Sequence, residues 1–142
     1  MPWLYLSEFF DNHRDEYIDA LFNVSAKNDW ARWINLGLLA TIETGRKTIE
    51  RVRKLLEIRE EYEEKIRLND GRDRLMHIVP LLLSKPIISY KNLMETLEVT
   101  YPTARADMEA LVDMGIVSHL PGIKRPKKYI ANDIFRVAYF DD

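Results

Sequence analysis

The sequence predicts a mainly α protein: a helical N-terminal region with a long connecting helix, followed by a winged helix-turn-helix, an α fold with a small β-hairpin. Three observations lead to this prediction. Apolar residues recur at helical spacing through residues 1–70, which hold one proline and two glycines. Residues 30–68 contain no proline, and a helix of that length would span about 58 Å. Residues 73–131 then alternate short apolar helices with extended segments.

Composition narrows the possible functions. The chain has 142 residues, 46% hydrophobic and 31% charged, so it can bury a core in one domain or two small ones. Lys and Arg number 21 against 23 Asp and Glu. A net charge of −2 excludes a uniformly basic nucleic-acid-coating protein and leaves local patches as candidate binding sites. The absence of cysteine excludes thiol catalysis, disulfides and cysteine-based zinc sites.

The N-terminal residues lack the basic segment of a signal peptide, and Ser7 and Glu8 interrupt their apolar run. The longest uncharged apolar stretch, residues 33–42, is far shorter than the ~20 residues of a membrane-spanning helix. We therefore expect a cytoplasmic protein that does not enter a membrane.

Capping and turn residues mark the helices of the first half. The pattern predicts a helix near the N-terminus and a second over residues 12–24, then a turn and one long helix from residue 30 to about 68. Asn28 or Asp29 would cap the long helix, and Asn69-Asp70-Gly71 would end it.

Proline and glycine become more frequent after residue 70 and the helices become short. We therefore place a domain boundary there, between a helical region over residues 1–70 and a winged helix-turn-helix domain over residues 71–142. Pro80 is expected to kink the first helix of the second domain, and Ser89 and Thr100 to cap the next two. The predicted helix, short strand, two helices and hairpin cover residues 72–84, 87–88, 89–97, 100–114, 116–120 and 128–131.

The third helix of this domain provides candidate DNA-binding residues. Its core side is a stripe of small and apolar residues: Ala104, Met108, Leu111 and Val112. Tyr101, Thr103 and Arg105 are then left to project outward, where a helix-turn-helix protein contacts the major groove.

The loop between the two predicted strands is basic and would form a wing. It holds four cations and no acidic residue, and a wing with this charge would contact phosphates. The cations are Lys124, Arg125, Lys127 and Lys128. The sequence therefore predicts double-stranded DNA as a partner, bound by the helix and the wing together.

Charge also supports a competing interpretation. Asp107, Glu109 and Asp113 add three carboxylates to the proposed recognition helix, and residues 70–142 hold ten cations and ten acidic residues. DNA affinity would depend almost wholly on the wing and would fall with salt. A protein-interaction module, in which the winged helix packs against protein, remains the alternative.

Three segments, residues 2–7, 12–21 and 29–34, resemble the C-terminal helices of bacterial Fic (filamentation induced by cyclic AMP) proteins. They read Pro-Trp-Leu-Tyr-Leu-Ser, Asn-His-Arg-Asp-Glu-Tyr-Ile-Asp-Ala-Leu and Asp-Trp-Ala-Arg-Trp-Ile. The second half, with Pro-Thr-Ala-Arg and Leu-Val-Asp-Met-Gly-Ile-Val, is similar to the winged helix appended to many such proteins. The resemblance implies a DNA-binding, transcription-regulatory module of Fic type.

The resemblance also implies that this chain is not an enzyme by itself. Fic proteins transfer AMP from ATP to a hydroxyl side chain with a loop of the form His-Pro-Phe-x-Asp/Glu-Gly-Asn-Gly-Arg, which precedes the Leu-Tyr-Leu-Ser segment. The nearest match here, Asn69-Asp70-Gly71-Arg72, has no His-Pro-Phe before it and is expected to end a helix. We expect no catalytic, cofactor-binding or metal-binding residue. An alternative is that the chain is the C-terminal part of a Fic adenylyltransferase whose catalytic loop lies upstream.

Histidines give no metal or catalytic pattern, because His13, His77 and His119 are far apart in sequence. Apolar residues of the first 40 positions suggest a partner instead. Left uncovered, they would expose more apolar surface than a monomer tolerates. The residues are Trp3, Tyr5, Phe9, Phe10, Trp30, Trp33 and Leu38. We expect a homodimer through the N-terminal helices or the long helix, or an upstream Fic segment supplied in trans.

Overall fold

Helices dominate the computed structural model, which describes residues 6–69, 73–122 and 127–140. In these ranges the helices are α1 (Leu6–Asn12), α2 (Arg14–Lys27), α3 (Trp30–Arg67), a 3-10 helix (Asp73–His77), α4 (Ile78–Ser84), α5 (Tyr90–Leu97), α6 (Tyr101–Asp113) and α7 (Asn132–Tyr139). The strands are β1 (Ile87–Ser89), β2 (Ser118–His119) and β3 (Lys128–Ile130). The predicted fold class, mainly α with a long helix and a small β-hairpin, is confirmed.

The long helix α3 begins where the capping residues predict. Asn28 ends α2 in the left-handed conformation at φ 54°. Asp29 Oδ1 then accepts a hydrogen bond from the Arg32 backbone N–H at 3.4 Å, which satisfies one free donor of the first turn. The helix continues for 38 residues through Gly45.

By its packing the chain divides into two compact units, Met1–Val52 and Arg53–Asp142. The second half of α3 therefore belongs to the core of the second unit, where Leu55, Tyr62 and Ile66 are buried. The domain boundary after residue 70 stays a prediction, and a fragment experiment in the Discussion tests it.

Aromatic side chains form the small core of the first unit. Phe9 is buried, and the rings of Phe10 and Tyr17 pack against Trp33 at centroid distances of 6.2 and 5.6 Å. The expectation of an exposed patch was therefore wrong for Phe9, which α1 turns inward onto α2 and α3.

Phe10 and Trp33 are only half-buried against that core, and the other residues of the expected patch are exposed or lie outside the described ranges. Trp30 and Leu38 are more than half exposed. Trp3 and Tyr5 lie outside the described residues.

The second unit has a three-stranded antiparallel sheet in the order β1–β3–β2. Ile88 pairs with Tyr129, and Ser118 pairs with Ile130. Helices α5 and α6 lie between β1 and the β2–β3 hairpin in sequence. This is the helix and strand order predicted for a winged helix-turn-helix.

The first helix of this unit differs from its prediction. Instead of one helix kinked at Pro80, a 3-10 helix ends at His77 and α4 starts at Ile78. Pro80 then lies in the first turn of α4, where its missing N–H breaks no α-helical hydrogen bond.

Helices and sheet enclose one continuous core in the second unit. Its fully buried large side chains are Tyr62, Ile66, Leu75, Ile78, Leu82, Ile88, Leu93, Met108, Leu111, Ile116, Tyr129 and Ile134. Across the described residues, no helix has both the length and the apolar character that crossing a membrane requires.

Tyr62 connects α3 to α7 through this core and makes stability sensitive to alkali. Its hydroxyl donates a hydrogen bond to Asp133 Oδ2 at 3.2 Å, and burial together with that carboxylate raises the pKa of Tyr62 above its ordinary value. The folded state therefore holds the phenol proton after the unfolded chain has released it. The contribution of Tyr62 to folding stability is therefore complete below about pH 10, its ordinary pKa, and is lost as the pH rises above it.

Above pH 10, we expect the free energy of unfolding to decrease less steeply with pH in Tyr62→Phe than in the wild type. The difference in slope should be up to about 1.4 kcal/mol per pH unit. Urea titrations of both proteins at pH 8, 10 and 11 measure the difference. Equal pH slopes for the two proteins would contradict the prediction.

Candidate nucleic-acid interface

Helix α6 follows a tight turn that its sequence specifies. Glu98 ends α5 in the left-handed conformation at φ 52°, and the Val99 N–H bonds to the Met94 carbonyl at 3.3 Å. Thr100 occupies the N-cap position with extended backbone, and Pro102 lies in the first turn, where no intrahelical donor is needed. Two helices joined by a tight turn are therefore present at residues 90–113, as predicted.

The inward side of α6 matches its prediction. Ala104, Met108 and Leu111 are fully buried, and Val112 is partly buried. Ala104 has no side chain beyond Cβ, so α6 can approach the rest of the core closely at this position.

The outward side exposes the predicted residues to different degrees. Tyr101 is 52% exposed, and its ring packs edge-on against Tyr90 at a centroid distance of 5.4 Å. Thr103 is half-buried, with its hydroxyl 3.2 Å from that of Thr100. Arg105 is exposed on the next turn.

Arg105 is engaged with a carboxylate of its own helix. Its Nε donates a hydrogen bond to Glu109 Oε1 at 3.0 Å, and this bond raises the pKa of the guanidinium. Both side chains are about 60% exposed, so water screens the pair and a phosphate could compete for Arg105.

Of the three carboxylates counted on the proposed recognition helix, Asp107 does not face solvent. Its side chain is fully buried, and Arg74 of the 3-10 helix holds both of its oxygens, at 3.0 Å from Nε and 2.6 Å from Nη2. Two carboxylates, Glu109 and Asp113, remain toward solvent. The sequence contained a signal for this, because Asp107 follows Ala104 by three positions and so lies on the buried stripe.

Sequence reasoning missed an aromatic cluster beside α6. The hydroxyls of Tyr90 and Tyr129 are 2.5 Å apart, and the His119 ring lies 4.7 Å from that of Tyr129. Burial and the Tyr90 hydroxyl raise the pKa of Tyr129. Three elements, α5, β2 and β3, supply these rings, so no local sequence pattern could predict the cluster.

Two of the four predicted wing cations lie within the described residues. Lys127 lies just before β3 and Lys128 is its first residue, and both side chains are exposed. The Leu120 N–H bonds to the Lys128 carbonyl at 3.0 Å, which extends the hairpin pairing beyond β2. Lys124 and Arg125 lie outside the described residues.

The side of α6 and the β2–β3 hairpin share one groove. This groove, of about 200 Å³, has Arg105, Glu109 and Asp113 of α6 on one side and His119, Lys127 and Tyr129 on the other. The structure thus brings Arg105 and Lys127 to one surface, though they are 22 positions apart in sequence. Two phenols, two cations and two carboxylates give the groove hydrogen-bond donors and acceptors but little net charge.

No group of three His, Asp or Glu side chains in the described ranges is placed to hold a metal ion. No protein-family model matches the chain.

Proposed function

We propose that this chain is a DNA-binding, transcription-regulatory winged-helix module of a cytoplasmic Fic-type protein, and that it is not catalytic by itself. The observation that supports this most directly is the shared groove, because a recognition helix and a wing must reach the same duplex. Arg105 of α6 and Lys127 beside β3 line that groove together.

In this proposal the exposed residues of α6 contact base edges and the wing contacts phosphates. Tyr101, Thr103 and Arg105 are the residues for the major groove. Lys124, Arg125, Lys127 and Lys128 neutralise phosphates beside it.

Charge determines how tight such a complex is. Burial of Asp107 removes one negative charge from the DNA-facing side, whereas Glu109 still competes with DNA for Arg105. Binding is therefore modest, depends on the wing, and weakens steeply as salt rises.

The proposed DNA-binding unit acts as a homodimer formed through the N-terminal helices or the long helix. Exposed apolar side chains support this partner choice. They include Ile18 and Phe22 of α2 and Trp30 and Leu38 of α3, each at least half exposed. A second copy would cover such residues and bring two recognition helices into one particle.

The test of DNA binding replaces the four wing cations, at positions 124, 125, 127 and 128, with alanine. We expect binding to random duplex DNA, measured by fluorescence anisotropy at low salt, to become undetectable. Loss of about four phosphate contacts would reduce the slope of log affinity against log salt concentration by roughly 3–4.

A matched control removes four exposed cations from α3 instead: Arg32, Lys47, Lys54 and Arg67. The net charge change is the same, so a general electrostatic effect would weaken both variants equally. We expect the control to keep most of its affinity. Unchanged affinity in the wing variant would exclude the wing from the interface.

A protein-interaction module is the second candidate function. The Arg105–Glu109 pair favours it, because a helix face that neutralises its own cation suits a protein partner as well as DNA. A salt titration distinguishes the two, since phosphate contacts give a steep dependence on salt and a mostly apolar interface does not. In a third candidate the chain belongs to a Fic adenylyltransferase whose catalytic loop is upstream, and this chain alone should then bind no ATP.

A further inference from the structure

Helix α3 is apolar on two opposite sides within the first unit. One side packs in that unit's core through Leu36 and Ala40. Leu38 and Ile42 each follow one of these buried residues by two positions, which is roughly 200° around the helix. A helix side that faces water is normally polar, so this second apolar side needs a partner.

The second side forms a regular stripe, which we call the α3 seam: Leu38, Ile42, Gly45, Ile49 and Val52. Its four large side chains are 39–56% exposed. The intervals between successive seam residues are four, three, four and three positions. This alternation is the heptad repeat by which one helix packs along another.

We propose that the α3 seam binds the α3 seam of a second copy of this chain, with the two helices antiparallel. This inference rests on the homodimer proposed above, and it adds the surface, the residues and the orientation. A second copy suits the seam because the partner must present a heptad repeat of matching length. The same stripe on another molecule meets that requirement under two-fold symmetry.

The sizes of the seam residues favour the antiparallel orientation. A Cβ added at Gly45 would meet nothing within 4 Å in one copy, so a gap lies beside this residue. In an antiparallel pair Gly45 lies opposite Ile49 of the second copy, and Ile42 lies opposite Val52. A large side chain then fills each gap. In a parallel pair Gly45 would face Gly45, and the gap would double.

Charges beside the seam oppose this orientation only weakly. Arg46 would approach Arg46 of the second copy near the two-fold axis. Arg46 is exposed, and on its own helix Glu43 precedes it by three positions and Glu50 follows it by four. Water and these carboxylates screen the repulsion, whereas the contact between Ile49 and Gly45 is buried in the dimer.

The first test is the mass of the full chain in solution, measured by multi-angle light scattering without DNA. We expect a dimer for the wild type and a monomer for Ile42→Lys/Ile49→Lys, with at least a hundredfold weaker association. Both residues are exposed in one copy, so circular dichroism should show an unchanged helical content. Leu68→Lys is the matched control: Leu68 directly follows α3, lies outside the seam and is 78% exposed, so this variant should remain dimeric.

The outcomes separate the seam from the functions proposed above. A dimer that persists in Ile42→Lys/Ile49→Lys would contradict the proposed α3 seam interface but would support the homodimer. A monomeric wild type would overturn both. Since the mass is measured without DNA, a failure of DNA binding leaves this readout unchanged.

Engineered cysteines test the orientation, and the natural chain has no cysteine to interfere. In the antiparallel pair, Ile42→Cys/Val52→Cys should give a disulfide-linked dimer under mild oxidation. Ile42→Cys alone should not, because the two copies of residue 42 would be roughly 15 Å apart along the helices. Efficient cross-linking by Ile42→Cys alone would show a parallel pair and overturn the proposed orientation.

Discussion

Replacing Arg74 with methionine is expected to lower the free energy of unfolding of the second unit by about 3 kcal/mol. Arg74 donates two hydrogen bonds to the Asp107 carboxylate, which is fully buried on the core side of α6. Methionine keeps most of the side-chain volume but leaves the carboxylate without a counter-charge. The value lies at the low end of the range for buried pairs because Arg74 is 45% exposed, so water can approach the vacated position.

Urea unfolding followed by circular dichroism measures this loss, and Arg105→Met is the control. Both arginines pair with a carboxylate of α6, but the partner of Arg105 is exposed. We expect no measurable change in stability for the control. The double variant Arg74→Met/Asp107→Leu should recover most of the loss, because it removes the buried charge as well. A single variant as stable as the wild type would mean that Asp107 needs no counter-charge.

A fragment that starts at residue 71 is expected to be largely unfolded, whereas one that starts at residue 53 should unfold cooperatively. The shorter fragment lacks Leu55, Tyr62 and Ile66, which are buried in the core of the second unit. Burial of each such side chain contributes about 1.5–3 kcal/mol, so the three together contribute at least about 4.5 kcal/mol. The total free energy of unfolding of many domains is only about 5–15 kcal/mol.

Thermal melts of fragments 53–142 and 71–142, followed by circular dichroism, test the two boundaries directly. The same melting temperature for both fragments would support the domain boundary after residue 70 and assign α3 to the first domain. Tyr62→Ala in fragment 53–142 provides an intermediate case. This substitution should lower the free energy of unfolding by about 3–5 kcal/mol without any change in chain length.

The elements of this fold were predictable where local chemistry decides them. Asp29 starts α3, the Ser89 backbone N–H bonds to Asn92 Oδ1 at 2.9 Å at the start of α5, and Thr100 precedes α6. Helical periodicity likewise identified Ala104, Met108 and Leu111 as the buried side of α6. The start of α4 was not predicted, because a 3-10 helix over residues 73–77 precedes it.

The candidate site was predictable only in part. Periodicity placed Tyr101 and Arg105 toward solvent, and composition identified Lys127 and Lys128 as wing cations. Neither could bring Arg105 and Lys127 into one groove, because that juxtaposition depends on how the β2–β3 hairpin packs beside α6. The Tyr90–Tyr129 hydroxyl pair was unpredictable for the same reason.

The sequence by itself determined the helices, their order and the apolar stripes along them, because hydrogen bonding and side-chain spacing within a helix are local. Only the tertiary structure decided which stripe is covered and which charge is buried. Arg74 and Asp107 are 33 positions apart, and Tyr62 and Asp133 are 71 apart. Such pairs exist because packing brings distant segments together, and the free energy of a buried charge depends on that packing.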